Sequence, residues 1–150
     1  MEGKYTKIAT ITGLIVLGIT LWQLFSKSDK KLDGEWQMTT TVQEADLKDY
    51  KGLQIKWKMF ITENGEDIKG TAEKTAINNI PLDYKIHTSM TFEGHIKGNK
   101  MILNYTETGK LRNTSGIMEI ELQKNRFNGT FSQTASNTSG TVTGIRTTKE

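Results

Sequence analysis

Residues that commonly carry chemistry are missing or scarce in this 150-residue sequence. It contains no cysteine, which excludes disulfides, thiolate metal sites, a cysteine nucleophile and a lipid-modified N-terminal cysteine. It contains two histidines, His87 and His95, and we expect both on the surface, His95 at a turn. No HxxxH pair, carboxylate cluster or G-x-S-x-G motif occurs. The sequence therefore predicts a protein that is not an enzyme and that holds no cofactor or metal.

Proline and helical periodicity are also scarce. The only proline, Pro81, lies in a predicted loop over residues 78–81, where its missing N–H removes no ladder hydrogen bond. After residue 31 no stretch sustains a period of 3.6 residues, which argues against a helical domain. We expect only a short helix there, around residues 45–50.

Charge is distributed unevenly along the chain. The formal net charge of +3 comes entirely from residues 1–31, where lysines outnumber Glu2 and Asp29. The remaining residues carry equal numbers of positive and negative side chains. A neutral domain is poorly suited to binding DNA or RNA, because such binding depends on neutralising phosphates.

The one long apolar run is Ile8–Phe25, which contains no charged residue. As a helix it would span roughly 27 Å, close to the thickness of the bilayer hydrocarbon. We therefore predict a single-pass inner-membrane anchor and basic linker over residues 1–31. A cleaved signal peptide is the alternative. Three lysines follow the run and two precede it, which favours a cytoplasmic position for the rest of the chain.

Beyond residue 31 the hydrophobic period changes to two. In Leu53–Met59 apolar and polar residues alternate strictly, which is typical of a strand with one buried face. Asn64-Gly65 follows and is a strong hairpin signal. Equivalent segments predict eight strands, near 34–43, 53–62, 66–74, 84–94, 99–107, 114–122, 126–134 and 139–147.

Eight short strands with hairpin-like links predict an all-β fold. Closing the sheet would remove its exposed edges, so we predict an eight-stranded antiparallel barrel over residues 32–150. An open sandwich is the alternative. A barrel of eight strands has room for packed side chains or for one small ligand, and we predict a ligand-binding domain.

Polar side chains on the predicted inward face are candidate ligand contacts, because an apolar core does not require them. By alternation these residues are Thr40, Thr88, Tyr105 and Gln133. Each could equally bond a neighbouring side chain or a water. An anionic ligand would also require cationic donors, for which Arg126 and Arg146 are the candidates.

Two residues at the ends of the barrel carry a first resemblance. Gly34-Glu35-Trp36 opens the first predicted strand, and Arg146 lies on the last. This resembles the calycin superfamily, in which a G-x-W tryptophan is covered by an arginine from the end of the barrel. The resemblance implies that Arg146 packs on Trp36 in a cation–π contact.

A second resemblance covers the layout of the whole chain. Met118–Arg146 reads MEIELQKNRFNGTFSQTASNTSGTVTGIR, and Asn99–Tyr105 is a strand of similar style. With the apolar N-terminus, this looks like the SMODS-associated strand-rich membrane effectors of bacterial CBASS anti-phage systems. The resemblance implies a barrel that binds a cyclic nucleotide, followed by homo-oligomerisation and membrane disruption. That family usually has two transmembrane helices, whereas only one fits before Gly34.

The sequence is also compatible with a different class of protein. An extracytoplasmic, lipocalin-like module would bind an apolar small molecule among Met, Ile and Phe side chains. The side of the membrane on which the C-terminus lies separates the two interpretations, because a bacterial nucleotide messenger is cytosolic.

Overall fold

The computed structural model describes residues 32–86 and 88–147. The predicted anchor Ile8–Phe25, the rest of residues 1–31 and His87 lie outside the described residues. Within the described ranges, no helix is both long and apolar enough to cross a membrane. The strands are β1 (Gly34–Glu44), β2 (Gln54–Asn64), β3 (Asp67–Ile77), β4 (Ile80–Pro81), β5 (Ser89–Lys97), β6 (Lys100–Thr108), β7 (Asn113–Gln123), β8 (Arg126–Gln133) and β9 (Thr138–Arg146).

Eight of these strands form a closed antiparallel barrel. Neighbours around the barrel are β1, β2, β3, β5, β6, β7, β8 and β9, and β9 pairs with β1 to close it. The two-residue strand β4 pairs with the end of β3 outside this ring. Closure confirms the predicted eight-stranded barrel and excludes the open sandwich.

Alternation along each strand decides which side chains enter the barrel. On β2 the side chains of Trp57, Met59 and Ile61 are buried, and the residues between them are exposed. Because side chains of a strand point alternately to its two faces, this period places one set inside and the other in solvent. The same pattern on the other barrel strands builds one continuous core.

The two ends of the barrel have different connections. At the end where β1 begins, which we term the Trp36 end, β2–β3, β5–β6 and β7–β8 are joined by two-residue turns. Gly65 and Gly98 adopt φ of 65° in two of these turns, a conformation that glycine reaches without strain. At the opposite end, termed the Lys74 end, the connections are longer, at residues 45–53, 78–88, 109–112 and 134–137.

Glycines inside the barrel make room for aromatic rings. Each of three inward-facing glycines is paired with an aromatic residue on the next strand, and the ring lies where a Cβ would be. The pairs are Gly70 with Phe92, Gly116 with Tyr105, and Gly144 with Phe127. A narrow barrel cannot hold a large side chain at every inward position, and glycine opposite a ring solves this.

The strand predicted over residues 84–94 begins later in the structure, as β5 (Ser89–Lys97). Tyr84–Ile86 forms a 3-10 turn and β5 starts at Ser89, because Asp83 accepts hydrogen bonds from the backbone N–H groups of Lys85 and Ile86. Such local capping competes with strand pairing. Pro81, predicted in a loop, lies in β4.

Two smaller expectations also need correction. The predicted short helix at residues 45–50 is a single 3-10 turn, Lys48–Tyr50. His95 is exposed as predicted, but it lies within β5, with Nδ1 2.9 Å from a carboxylate oxygen of Asp67, and not in a turn.

Candidate functional site

The Trp36 end is closed by packed side chains. The indole of Trp36 is fully buried, and its Nε1 donates to the carbonyl of Leu32 at 2.8 Å. The guanidinium carbon of Arg146 lies 4.9 Å from the Trp36 ring centroid, which confirms the expected cation–π contact. Phe127 packs on the same indole at 5.3 Å between centroids. We assign this end a structural role, because ring, cation and chain together cover the interior.

The Lys74 end contains an ion pair inside the barrel. The Nζ of Lys74 lies 2.5 Å from a carboxylate oxygen of Glu107, and the two side chains are only 14% and 15% exposed. The same ammonium lies 5.0 Å from the ring centroid of Trp57, and the Trp57 Nε1 donates to Thr40 Oγ1 at 3.2 Å. One cation is therefore held between a carboxylate and an indole at the mouth of the barrel.

This ion pair joins two strands that are not direct neighbours. Lys74 is on β3, Glu107 is on β6, and β5 lies between those strands. On β3 the pairing with β2 shifts after Lys74, so that Thr75 has no partner of its own. Such a bulge twists the strand locally. Among the described residues, Lys74 is the only lysine whose side chain is not exposed to solvent.

Tyr105 and Gln133 extend the polar lining of this end. The hydroxyl of Tyr105 donates to Gln133 Oε1 at 3.1 Å. Burial, and then the negative charge of Glu107, raise the pKa of Tyr105 well above its usual range. The phenol therefore stays neutral at physiological pH and keeps a proton to donate.

The structure brings together some of the predicted site residues and separates others. Thr40, Tyr105 and Gln133 all lie inside the barrel towards the Lys74 end. Thr88 lies just before β5, where it lines a groove of about 230 Å³ together with outward residues of β2 and β3. Arg126 is exposed at the start of β8, at the opposite end of that strand from Gln133. Arg146 belongs to the Trp36 end.

Sequence reasoning missed the ion pair although alternation contains its signal. Lys74 follows Ala72 at the inward spacing of β3, and Glu107 follows Tyr105 at the inward spacing of β6. Trp57 lies in the predicted strand 53–62, where alternation indicates only a core position. Charged residues are mostly exposed, so a lysine at an inward position suggests that the alternation has been assigned wrongly. Only the order of the strands shows that Glu107 lies close enough to pair with it.

A groove of about 670 Å³ lies over β5–β8, next to Tyr105 and Gln133. Its outward-facing side chains include hydroxyls in register across β5, β6 and β7, at Thr91, Thr106 and Ser115, and the hydroxyl of Thr134, which follows β8 and accepts from the Ser115 N–H. Of the described residues that line it, Glu93 is the only charged one. The groove suits a neutral hydrogen-bonding ligand better than an anion, which leaves Lys74 as the cationic site.

In the described part of the chain, no three His, Asp or Glu side chains come together as a group of metal ligands. Fold and site together define a closed eight-stranded antiparallel β-barrel with a sealed aromatic end and a polar, charge-bearing end. No family model, curated protein or solved structure matches this chain.

Proposed function

We propose that this chain is an inner-membrane effector of anti-phage defence, and that its barrel senses a cyclic nucleotide at the Lys74 end. The observation that carries this proposal is the largely buried ammonium of Lys74 between Glu107 and the ring of Trp57. The resemblance to the CBASS effectors supports the same class of ligand. The N-terminal run Ile8–Phe25 would anchor the sensor in the bilayer.

The chemistry of the Lys74 end fits a phosphate-bearing ligand. Phosphate oxygens accept hydrogen bonds, and an ammonium donates three with a full positive charge. A ligand phosphate would share the Lys74 ammonium with the Glu107 carboxylate, because an ammonium has three N–H donors. Tyr105 and Thr40 add hydroxyls on the same side of the barrel interior, and Trp57 provides a ring close to the cation.

Ligand binding would act on the membrane through self-association. If the ligand binds the assembled state more tightly than the single chain, about 5.5 kcal/mol of difference moves the population from 1:99 to 99:1. Assembly of the barrels would concentrate the anchors in the bilayer and disrupt it. Specificity then belongs to the barrel, because an apolar helix offers few groups that recognise a ligand.

Isothermal calorimetry of the full chain in detergent tests whether the barrel binds a cyclic nucleotide. We expect a cyclic di- or trinucleotide to bind, and Lys74→Met to abolish the binding. Lys69→Met, an exposed lysine of the same strand, is the matched control and should bind normally. Binding of none of these nucleotides, or equal loss in both variants, would refute the site.

A double variant separates loss of ligand binding from loss of folding. Lys74→Met alone leaves the Glu107 carboxylate enclosed without its cation, which is costly. The double variant Lys74→Met, Glu107→Leu removes both charges and should unfold at nearly the wild-type temperature. A double variant that is folded and still binds the nucleotide would show that Lys74 is not the recognition group.

A second function is favoured by a different observation, the methionine content of the interior. Met38, Met59, Met90, Met101 and Met118 are all buried in the core, and flexible thioethers adapt readily to apolar ligands. An extracytoplasmic lipocalin-like module would bind a fatty acid among them. Fatty acids in the same calorimetric panel, and a reporter of the side on which the C-terminus lies, distinguish this function from the first.

A further inference from the structure

The connection between β6 and β7, residues 109–112, presents an apolar side chain with a cation on either side. Leu111 is 99% exposed, so its own barrel leaves it uncovered. Lys110 and Arg112 flank it and are both exposed, and among the described residues neither forms a salt bridge. The Gly109 N–H donates to the Arg112 carbonyl at 3.0 Å, which closes the turn. We term residues 109–112 the basic loop.

The groove over β5–β8 carries the opposite charge. Glu93, Asn104, Ile117 and Ser132 lie in register across its four strands, and Ile117 is 45% exposed. A second groove of about 310 Å³ adjoins it, because both are lined by Ile117 and Ser132, and the second is also lined by Glu119. Of the described residues that line the two grooves, none is cationic. We term the joined surface the acidic groove.

We propose that the basic loop of one chain seats in the acidic groove of a second copy, so that barrels associate through their walls. Leu111 would cover Ile117, and removing both side chains from water favours the contact. The two flanking cations of the loop would approach the carboxylates of Glu93 and Glu119. The loop and the groove are different surfaces of one chain, so the contact can continue from each copy to the next.

Charge supports a second copy as the occupant of the groove. The loop brings two cations and the groove offers two carboxylates, which are equal in number and opposite in sign. Lys69 lies opposite Glu93 on β3, but it does not line the groove. Contacts of loop with loop, or of groove with groove, would bring like charges together. Only the pairing of loop with groove satisfies both surfaces.

This inference rests on the self-association in the proposed function, and it names the surface that would provide it. The groove lies on the outer face of the barrel wall, so a neighbouring loop seated there leaves the interior around Lys74 uncovered. The contact is tested without nucleotide, which lets the two proposals fail separately. Assembly without nucleotide binding would refute the ligand alone, whereas nucleotide binding by a chain that stays monomeric would refute the contact.

Sedimentation velocity of the full chain in detergent, over a range of concentrations and without nucleotide, tests the contact. We expect the wild type to associate reversibly. Lys110→Glu with Arg112→Glu reverses the charge of the loop, and Glu93→Lys with Glu119→Lys reverses the charge of the groove. Each of these variants alone should lose the association, because its loop and its groove then carry the same sign.

An equimolar mixture of the two reversed variants should associate again, since each loop then meets a groove of opposite charge on the other variant. Lys124→Glu with Arg126→Glu, which reverses two exposed cations at the Trp36 end, is the matched control and should associate as the wild type does. A monomeric wild type would overturn the proposal. So would association that survives both reversals, or a mixture of folded variants that stays monomeric.

Disulfide trapping locates the contact, because the native sequence has no cysteine. Chains with Leu111→Cys are mixed with differently tagged chains that carry Ile117→Cys, and the mixture is oxidised. We expect cross-linked products that contain both tags, in excess over a mixture in which Asn125→Cys, exposed at the Trp36 end, takes the place of Ile117→Cys. Equal yields from the two mixtures would contradict a loop seated in the groove.

Discussion

Arg146 and Trp36 face each other directly across β9 and β1, and the guanidinium carbon of Arg146 lies 4.9 Å from the indole centroid. The first and last strands of the barrel are thus joined by a side-chain contact as well as by their backbone ladder. The Trp36 Nε1 binds the chain just before β1 through the Leu32 carbonyl. Trp36 therefore contributes both to the pairing of β9 with β1, which closes the barrel, and to the packing that covers the barrel end.

This contact predicts a measurable coupling. Trp36→Ala should lower the free energy of unfolding by about 3–5 kcal/mol, the usual cost of truncating a buried tryptophan. Arg146→Ala should cost less on its own. The double variant should show an interaction energy of about 0.5–2 kcal/mol, measured by urea unfolding. Additive losses would mean that the two side chains do not stabilise each other, and Arg126→Ala serves as the exposed control.

A fragment that begins at Leu32 should fold without the N-terminal segment. The reason is that the ladder closes within residues 34–146, and the core residues of the described part of the chain lie between Leu32 and Val142. Far-UV circular dichroism should show a β spectrum with a cooperative thermal transition. A largely helical or uncooperative fragment would contradict the division of the chain near residue 31.

Gly116→Ala should destabilise the barrel through overpacking. A Cβ at this position would overlap the ring of Tyr105 and the carbonyl of Ser132, and inserting a methyl group into a packed core costs about 1–3 kcal/mol. Ser115→Ala, exposed on the same strand, should change the stability by less than about 0.5 kcal/mol.

The Gly116 effect should also depend on its neighbour. In a Tyr105→Leu background the same Gly116→Ala substitution should cost less, because the smaller side chain leaves space for the added methyl group. Chemical denaturation of the four proteins in this cycle gives the coupling. An equal cost in both backgrounds would show that the backbone carbonyl alone excludes the methyl group.

Stability should fall at alkaline pH through Tyr105. Its pKa is raised in the folded barrel by burial and by Glu107, whereas a tyrosine in an unfolded chain ionises near pH ~10. Above that pH the unfolded state loses the proton first, so it binds fewer protons than the folded state, and the free energy of unfolding decreases as pH rises. The contribution is intact below pH ~10.

The matched variant for this prediction is Tyr105→Phe. It loses the hydrogen bond to Gln133 and should be about 1 kcal/mol less stable at neutral pH. The difference between wild type and variant should then shrink as the pH rises above ~10. A difference that stays constant with pH would mean that Tyr105 ionises equally in both states.

Much of the fold was predictable from local pattern. Seven of the eight barrel strands lie within a few residues of their predicted ranges, because a half-buried strand requires a period of two and the sequence shows it. The exception, β5, begins late because the Asp83 turn competes with the ladder, and that signal is weak beside the apolar residues around it. Packing of Arg146 on Trp36 was expected from a short motif.

The site was predictable only in part. Alternation placed Thr40, Tyr105 and Gln133 on the inward face, and the structure collects them at one end of the barrel. The membrane anchor, the ligand and the defence role stay predictions, as they concern residues or molecules outside the described structure. Arg126 was included for its charge alone, although alternation with Phe127 already places it on the outward face.

The sequence by itself determined which residues face inward, because side-chain direction in a strand follows from position alone. Only the tertiary structure decided which inward residues meet. Lys74 and Glu107 belong to strands separated by β5, and their long side chains meet inside the barrel because the curved sheet turns both strands towards the same interior. The exposed residues Leu111 and Tyr84 share one end because each strand of an antiparallel barrel reverses direction, so alternate connections lie at opposite ends.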